Sequence, residues 1–157
     1  MTFAPPNRRI ALVTGANRGI GLEICRQLAE HGLTVLLGAR DQVSGSDAAR
    51  QLQAAGLDVR YIAIDTNAPA TFAAAHTVIA REFGKLDVLV NNIGMGLDWD
   101  YTAANVPLPL LRETFEINFF ALVDLTQRLL PLLAESPAGR IVNQSSAIGS
   151  LAGQATA

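Results

Sequence analysis

Residues 14 to 21 read Thr14-Gly15-Ala16-Asn17-Arg18-Gly19-Ile20-Gly21. The apolar run before them, residues 10–13, predicts a buried parallel strand. After them, Ile20, Ile24 and Leu28 share one face of a predicted helix. A strand, a glycine-rich turn and a helix in this order indicate a site that binds phosphate.

The three glycines explain how such a turn would work. Gly15 can adopt backbone angles that are closed to other residues where the strand ends, and Gly19 and Gly21 have no side chain to keep a phosphate away from the backbone. The helix would then offer its unpaired N–H groups and the positive end of its dipole to the anion. The alternative is a plain strand-to-helix turn, in which the glycines only permit tight packing.

Composition narrows the class of protein. The 157 residues are half hydrophobic and 17% charged, which predicts one folded domain spanning residues 1–157 and excludes disorder. A net charge of −2 gives no electrostatic reason to expect nucleic acid or an anionic membrane as a partner. We also expect no membrane span and no signal peptide, because no apolar run reaches the required length.

The cysteine and histidine residues give no reason to expect a disulfide, a reactive thiol or a metal site. Cys25 is the only cysteine, so the chain can form no internal disulfide, and a reducing, cytoplasmic location is expected. Its place beside Ile24 in the first helical pattern predicts a buried, unreactive thiol. His31 and His76 have no ligand residues at metal-binding spacing, so no metal site is predicted.

Strand and helix patterns alternate along the whole chain, which predicts an α/β protein of the doubly wound, Rossmann type. The predicted strands are residues 10–13, 33–37, 59–64, 86–90 and 141–143. Predicted helices follow the first strand, cover residues 46–55 before Gly56, begin near Pro69 and end at Gly84, and cover residues 110–133. Right-handed crossovers then give a parallel sheet of order 3-2-1-4-5, with a ligand at the carboxyl ends of strands 1 and 4.

Four motifs follow one another along the chain. The glycines of residues 14–21 follow Gly-x-x-x-Gly-x-Gly, Asp65 follows strand 3, and Asn91-Asn92-Ile93-Gly94 follows strand 4. Asn118 and Ser146 complete the set. In this order and spacing the motifs resemble the short-chain dehydrogenase/reductase (SDR) family of the classical type over nearly the whole chain, and the first hundred residues are similar to the carbonyl reductases of that family.

The resemblance implies how a dinucleotide would be held. It assigns the cofactor pyrophosphate to the glycine-rich turn and the adenine amino group to Asp65, for which capping of the following turn is the alternative. The residues expected to bind cofactor are Gly15, Asn17, Arg18, Gly19, Ile20, Gly21, Arg40, Asp65, Asn91 and Gly94. Ile93 stands where the family has alanine, so its branched side chain is expected either to crowd the cofactor or to repack the sheet.

The resemblance also implies two catalytic residues. Asn118 would hold a water in a proton relay, and Ser146 would donate a hydrogen bond to the substrate carbonyl. From the residues alone, Asn118 is an amide in an apolar stretch, and burial would require a hydrogen-bond partner for it. A Ser-Ser pair at a strand end, without the family, is an ordinary turn.

The end of strand 2 predicts which nicotinamide cofactor is used. An acid there would bind the ribose 2′-hydroxyl of NAD, but position 39 is alanine and Arg40 follows. Arg40, with Arg18 nearby, can pair with the 2′-phosphate of NADP(H), whereas Asp41 is expected to point away. A solvated loop arginine is the alternative for Arg40.

The sequence lacks the Tyr-x-x-x-Lys pair that this family uses as general acid and ribose anchor. Its only tyrosines are Tyr61 and Tyr101, neither followed four residues later by lysine, and its only lysine is Lys85. We therefore expect the N-terminal part of a longer enzyme, inactive by itself and without the family's C-terminal strands. An exposed apolar patch on the helix of residues 110–133 is expected as well.

The expected whole protein is an NADPH-dependent oxidoreductase that acts on a small ketone or aldehyde, with the Tyr and Lys beyond Ala157. A homo-oligomer is expected for it. The alternative is a natural half-length, non-catalytic NADP(H)-binding sensor or interaction module. A nucleotide-sugar epimerase is disfavoured, because its glycines would follow Gly-x-x-Gly-x-x-Gly.

Overall fold

The computed structural model describes residues 8–97, 99–102 and 104–146, which form a parallel sheet of five strands in the order β3-β2-β1-β4-β5. The strands are β1 (Ile10–Thr14), β2 (Thr34–Ala39), β3 (Val59–Ala63), β4 (Val88–Asn91) and β5 (Arg140–Asn143). The helices are α1 (Gly19–Glu30), α2 (Gln42–Ala54), α3 (Ala70–Phe83), α4 (Leu108–Phe115) and α5 (Ala121–Ala134). This architecture confirms the predicted fold class and strand order.

Helices cover both faces of the sheet, so alternate residues of each central strand enter different cores. Ile10 and Leu12 of β1 pack with α3 and α5, whereas Ala11 and Val13 pack with α1 and α2. All of β1 and β2 is buried. Strands buried on both faces need continuous apolar runs, which is why these segments lack a polar alternation.

The buried face of α1 differs from the predicted one. Its fully buried residues are Gly21, Cys25 and Ala29, whereas Ile20 is 63% exposed. Small side chains allow the helix to lie close to the sheet, and the larger ones flank the contact. The prediction for Cys25 is confirmed, since the thiol is buried and burial raises its pKa to about 12.

Two of the predicted helices differ from those in the structure, one in its first residue and the other in an internal π-helical turn. Helix α2 begins at Gln42 and not at residue 46, because Asp41 accepts a hydrogen bond from the N–H of Ser44 at 2.8 Å and so caps the helix. The helix predicted for residues 110–133 contains a π-helical turn, Glu116–Phe120, between α4 and α5. There the N–H of Ala121 donates to the C=O of Glu116, five residues back.

The continuous helical segment Leu108–Ala134 is long and apolar enough to cross a membrane by length and composition alone, contrary to the expectation from the sequence. One such segment is weak support for a membrane protein, because the core helix of a soluble protein has the same composition. In α5, Leu125 and Leu129 are fully buried in the sheet core. The segment Leu108–Ala134 as a whole carries the expected exposed patch, the apolar residues Phe115, Phe119, Phe120, Val123 and Leu130.

A buried carboxylate joins the amino ends of β1 and β4 to the segment between α5 and β5. Asp87 accepts hydrogen bonds from the N–H of Ile10 at 2.7 Å, the Lys85 ammonium at 2.9 Å and the Ser136 hydroxyl at 2.6 Å. Burial by itself would raise the pKa of Asp87, but these bonds outweigh it and hold the pKa below its ordinary value. The ionised carboxylate is therefore part of the folded structure.

Asp87→Asn should lower the free energy of unfolding by about 2–3 kcal/mol at pH 7, because it removes a charged acceptor shared by three donors. A depressed folded-state pKa stabilises the fold above the unfolded value of 3.8, and that contribution is lost as the pH falls toward the folded value. Urea denaturation at pH 7 and pH 3 measures both effects. The exposed Asp47→Asn is the matched control, and equal losses in the two variants would contradict the role of Asp87.

Candidate functional site

A cleft of about 640 Å³ opens at the carboxyl edge of the sheet. Segments that follow β1, β2, β3 and β4 all contribute to it, as expected for the point where the connections of a doubly wound sheet diverge. The lining residues are Gly15, Asn17, Arg18, Gly19, Ile20, Gly21, Ala39, Arg40, Asp41, Ser44, Ile64, Asp65, Thr66, Asn92, Ile93, Gly94, Met95 and Ile117.

Thr14 and Asn92 join the carboxyl ends of β1 and β4 beneath this cleft. The buried Thr14 hydroxyl donates to the C=O of Val90 at 3.3 Å and accepts from the N–H groups of Asn92 at 3.0 Å and Ile93 at 3.2 Å. In return, the Asn92 amide donates to the C=O of Thr14 at 3.0 Å and of Gly15 at 3.2 Å. We call this reciprocal set the Thr14–Asn92 clamp.

The glycines of the turn serve different purposes. Gly15 and Gly19 have φ values of 63° and 57°, as expected for a turn that only glycine adopts readily. Gly21 was predicted to keep space free for a ligand, but it serves another purpose. A Cβ there would lie 2.6 Å from the Gly15 carbonyl oxygen and from the Asn92 amide nitrogen. Its role is to let α1 pack against the Thr14–Asn92 clamp.

The N-terminus of α1 opens into the cleft. Arg18, the residue before the helix, has an extended backbone and its side chain makes no capping hydrogen bond, and the first turn of α1 contains no acid. N–H groups of that turn therefore meet the cleft without a carboxylate to occupy them. A helix end of this kind suits an anion.

The end of β2 brings together a guanidinium and a carboxylate. Arg40 and Asp41 both line the cleft, and the Asp41 carboxylate caps the first turn of α2. The hydrogen bond from the Ser44 N–H, with smaller contributions from the Ser44 side chain and from the Arg40 charge, holds the pKa of Asp41 below its ordinary value. Ser44 also accepts a bond from the Asn17 amide at 3.2 Å.

Asp65 lines the cleft at the end of β3. Its Oδ1 accepts a hydrogen bond from the N–H of Asn67 at 3.0 Å, which is the capping alternative considered for this residue. One carboxylate oxygen is used in this way, and contact with a ligand would rely on the other.

Asn91 lies outside the cleft, although the sequence places it among the expected cofactor ligands. Its side chain is buried and donates to Thr126 of α5 at 3.1 Å and to Asn143 of β5 at 2.9 Å. Asn92, which the sequence analysis did not select, occupies the cleft instead. The branched side chain of Ile93 packs against the sheet core and close to Gly15, and the residue also lines the cleft.

Asn118 lies in the π-helical turn and holds the start of the loop after β4. Its amide oxygen accepts from the N–H of Met95 at 2.8 Å, and its amide nitrogen donates to the C=O of Met95 at 2.7 Å. The side chain is half-buried rather than buried as expected. An amide has a second lone pair and a second N–H, so one acceptor and one donor direction remain for another partner.

Ser146 follows β5 and is exposed, and neither it nor Asn118 lines the cleft. The N–H of Gln144 donates to the C=O of Asn91 at 2.9 Å, which extends the pairing of β5 with β4 toward Ser146. Of the twelve site residues predicted from sequence, nine line the cleft and Asn91, Asn118 and Ser146 lie beside it. Ser146 matches the catalytic serine that the resemblance implies, rather than Ser145, because it stands three residues before Gly149, and Gly149 lies outside the described residues.

Comparison with known proteins identifies relatives over nearly the whole chain. A family model described as short chain dehydrogenase matches residues 9–157. Short-chain dehydrogenase/reductase 1 of Saponaria officinalis is 39% identical over 165 residues, covering 92% of this chain and 55% of that protein. Carbonyl reductase (NADPH) 1 of Mus musculus is 40% identical over 144 residues, covering 90% of this chain and 50% of that protein.

The fold comparison agrees with these relatives. A metagenomic short-chain oxidoreductase solved in complex with NADP superimposes with a TM-score of 0.80 at 31% sequence identity, covering 90% of this chain and 64% of that one. The chain spans about half the length of the curated relatives it matches.

Thr14→Val should lower the free energy of unfolding by roughly 2–3 kcal/mol, because it leaves the N–H groups of Asn92 and Ile93 without their acceptor. Equilibrium urea denaturation measures the loss. Thr77→Val is the matched control, since the exposed Thr77 hydroxyl bonds only within its own helix. A Thr14 variant as stable as the Thr77 variant would contradict the Thr14–Asn92 clamp.

Proposed function

Because the chain belongs to the short-chain dehydrogenase/reductase family, we propose that its cleft binds NADP(H) and that the whole protein is an NADPH-dependent carbonyl reductase. The observation that carries the proposal is the pairing of an uncapped α1 N-terminus with Arg40 in one cleft. The names of the mouse relative and of the solved complex, which contain NADPH and NADP, support the same cofactor.

The pyrophosphate of the cofactor would lie at the N-terminus of α1. Glycine conformations at Gly15 and Gly19 keep the turn low, and the helix supplies N–H donors and the positive end of its dipole. The exposed side chain of Ile20 would give the bound cofactor an apolar contact at the mouth of the cleft. These features fit a negatively charged dinucleotide.

The 2′-phosphate would lie against Arg40. The buried Ala39 brings no acid to the end of β2, and the carboxylate of Asp41 is engaged in capping α2. Arg18 and the hydrogen-bonded pair Asn17 and Ser44 line the same cleft and would add donors. Asp65, at the end of β3, would accept from the adenine amino group through the oxygen that does not cap the turn.

The reacting end of the site would lie near β4 and β5. The bound nicotinamide supplies the hydride for the carbonyl carbon. Ser146 would donate a hydrogen bond to the carbonyl oxygen, and Asn118 would fix Met95 and hold the relay water with its remaining polar directions. The proton would come from the tyrosine of a Tyr-x-x-x-Lys pair beyond Ala157, so the 157 residues alone would bind cofactor without turnover.

The remaining expectations stay predictions. These are the single domain of residues 1–157, the cytoplasmic location, the homo-oligomer, and the absence of nucleic-acid and membrane partners. The non-catalytic NADP(H)-binding module remains the alternative that turnover measurements distinguish.

NADPH should bind the whole protein more tightly than NADH, and Arg40→Asp should weaken NADPH binding roughly 10–100-fold while sparing NADH, because charge-assisted phosphate contacts are lost. Calorimetric titration of both cofactors measures the preference. Arg50→Asp, an equal charge change on the exposed side of α2, is the control. Tighter NADH binding by the wild type, or equal losses in both variants, would contradict the cofactor assignment.

Ser146→Ala in the whole protein should reduce kcat for NADPH-dependent ketone reduction by about 10²–10³-fold, the usual cost of removing one donor to a developing oxyanion. Absorbance of NADPH at 340 nm follows the reaction. The adjacent Ser145→Ala should keep most activity. NADPH binding without turnover of any carbonyl by the wild type would reject the reductase and favour the non-catalytic module.

A further inference from the structure

The segment that follows β4 exposes three large apolar side chains, and the first of them, Met95, lines the cleft. Met95, Trp99 and Tyr101 are 39%, 73% and 44% exposed, and Trp99 is the only tryptophan in the chain. Large aromatic side chains left in water forgo the stabilisation that burial would give. Exposed apolar side chains in a segment that continues from the lining of a cleft indicate a surface that a ligand covers.

Met95 is tied to the π-helical turn, and Trp99 packs on the residue that follows Met95. Both backbone polar groups of Met95 are held by the amide of Asn118. The indole of Trp99 lies directly on the next residue, Gly96, where a Cβ would be 2.2 Å from the indole nitrogen and 2.4 Å from Cε2. Any residue other than glycine at position 96 would displace the ring, so the indole packs directly on the backbone next to Met95.

The place of the ring relative to the sheet points to the substrate. Among the strands that contribute to the cleft, β4 is the one next to β5, and Met95 follows β4. Ser146 follows β5. A carbonyl compound held by Ser146 and facing the β4 end of the cleft would therefore have its substituent close to Met95 and Trp99.

We propose that Trp99 and Met95 form the platform that binds the organic substituent of the carbonyl substrate, and that they select ketones and aldehydes with a flat, apolar, aromatic group. The proposal rests on the carbonyl reductase function proposed above. An indole face stacks on a planar ring, and the flexible thioether of methionine adapts to its edge. A small aliphatic carbonyl compound would gain little from either contact.

Steady-state kinetics of the whole protein at saturating NADPH, with 2-acetonaphthone and 2-butanone as probe ketones, tests the platform. Trp99→Ala should raise KM for 2-acetonaphthone on the order of 10–100-fold and leave KM for 2-butanone and the affinity for NADPH nearly unchanged. Trp99→Phe keeps an aromatic face and should recover most of the loss. Val43→Ala, an exposed apolar residue on α2 outside the cleft lining, is the control.

Equal changes in KM for the two ketones, or no change for 2-acetonaphthone, would overturn the platform. If the wild type oxidises NADPH with neither ketone, the reductase proposal fails, and equilibrium dialysis of 2-acetonaphthone against wild type and variants tests the platform separately. Weaker binding by Trp99→Ala then supports it, and equal binding overturns it. Circular dichroism checks folding, and if Trp99→Ala does not fold, Trp99→Leu takes its place with the same expected outcomes.

Discussion

The reciprocal hydrogen bonds between Thr14 and Asn92 hold the carboxyl ends of β1 and β4 at a fixed separation, and the geometry of the cleft depends on them. After β1 the chain continues to β2 on one side of the sheet, and after β4 it continues to β5 on the other side. A crevice therefore opens between the segments that follow β1 and β4. Unpaired backbone groups in such a crevice would be costly. The clamp satisfies them with two side chains and leaves the first turn of α1 facing the open space.

The two edges of the sheet contrast in how their polar groups are used. At the amino edge, the Asp87 carboxylate accepts hydrogen bonds from Ile10 of β1, from Lys85 before β4 and from Ser136 between α5 and β5. At the carboxyl edge, the N-terminus of α1 is uncapped and large apolar side chains such as Trp99 remain exposed. The polar groups at the amino edge stabilise the fold. At the carboxyl edge, helix N–H groups and apolar side chains are left open for contact with a ligand.

The strand order and the position of the cleft could be predicted. Buried parallel strands have continuous apolar sequences, and the crossovers between parallel strands are right-handed. The buried face of α1 could not be predicted from its large apolar residues. The helix packs closely on the sheet, and the residues at this contact are the small ones, Gly21, Cys25 and Ala29. Ser44 and Gly45 are weak helix formers and masked the start of α2, although Asp41 is a normal N-cap residue. The π-helical turn at Glu116–Phe120 has no compositional signal.

The pair Asn91 and Asn92 shows where the site itself was hard to predict. Successive residues of a strand point to opposite sides, and Asn91, the last residue of β4, faces α5 and β5, whereas Asn92 turns into the cleft.

A crystal structure of the whole protein with NADP would test the cofactor site most directly. The pyrophosphate is predicted within hydrogen-bond distance of the first-turn N–H groups of α1, with the 2′-phosphate against Arg40. A cofactor bound elsewhere, or with its adenosine end at β4, would contradict the proposed site.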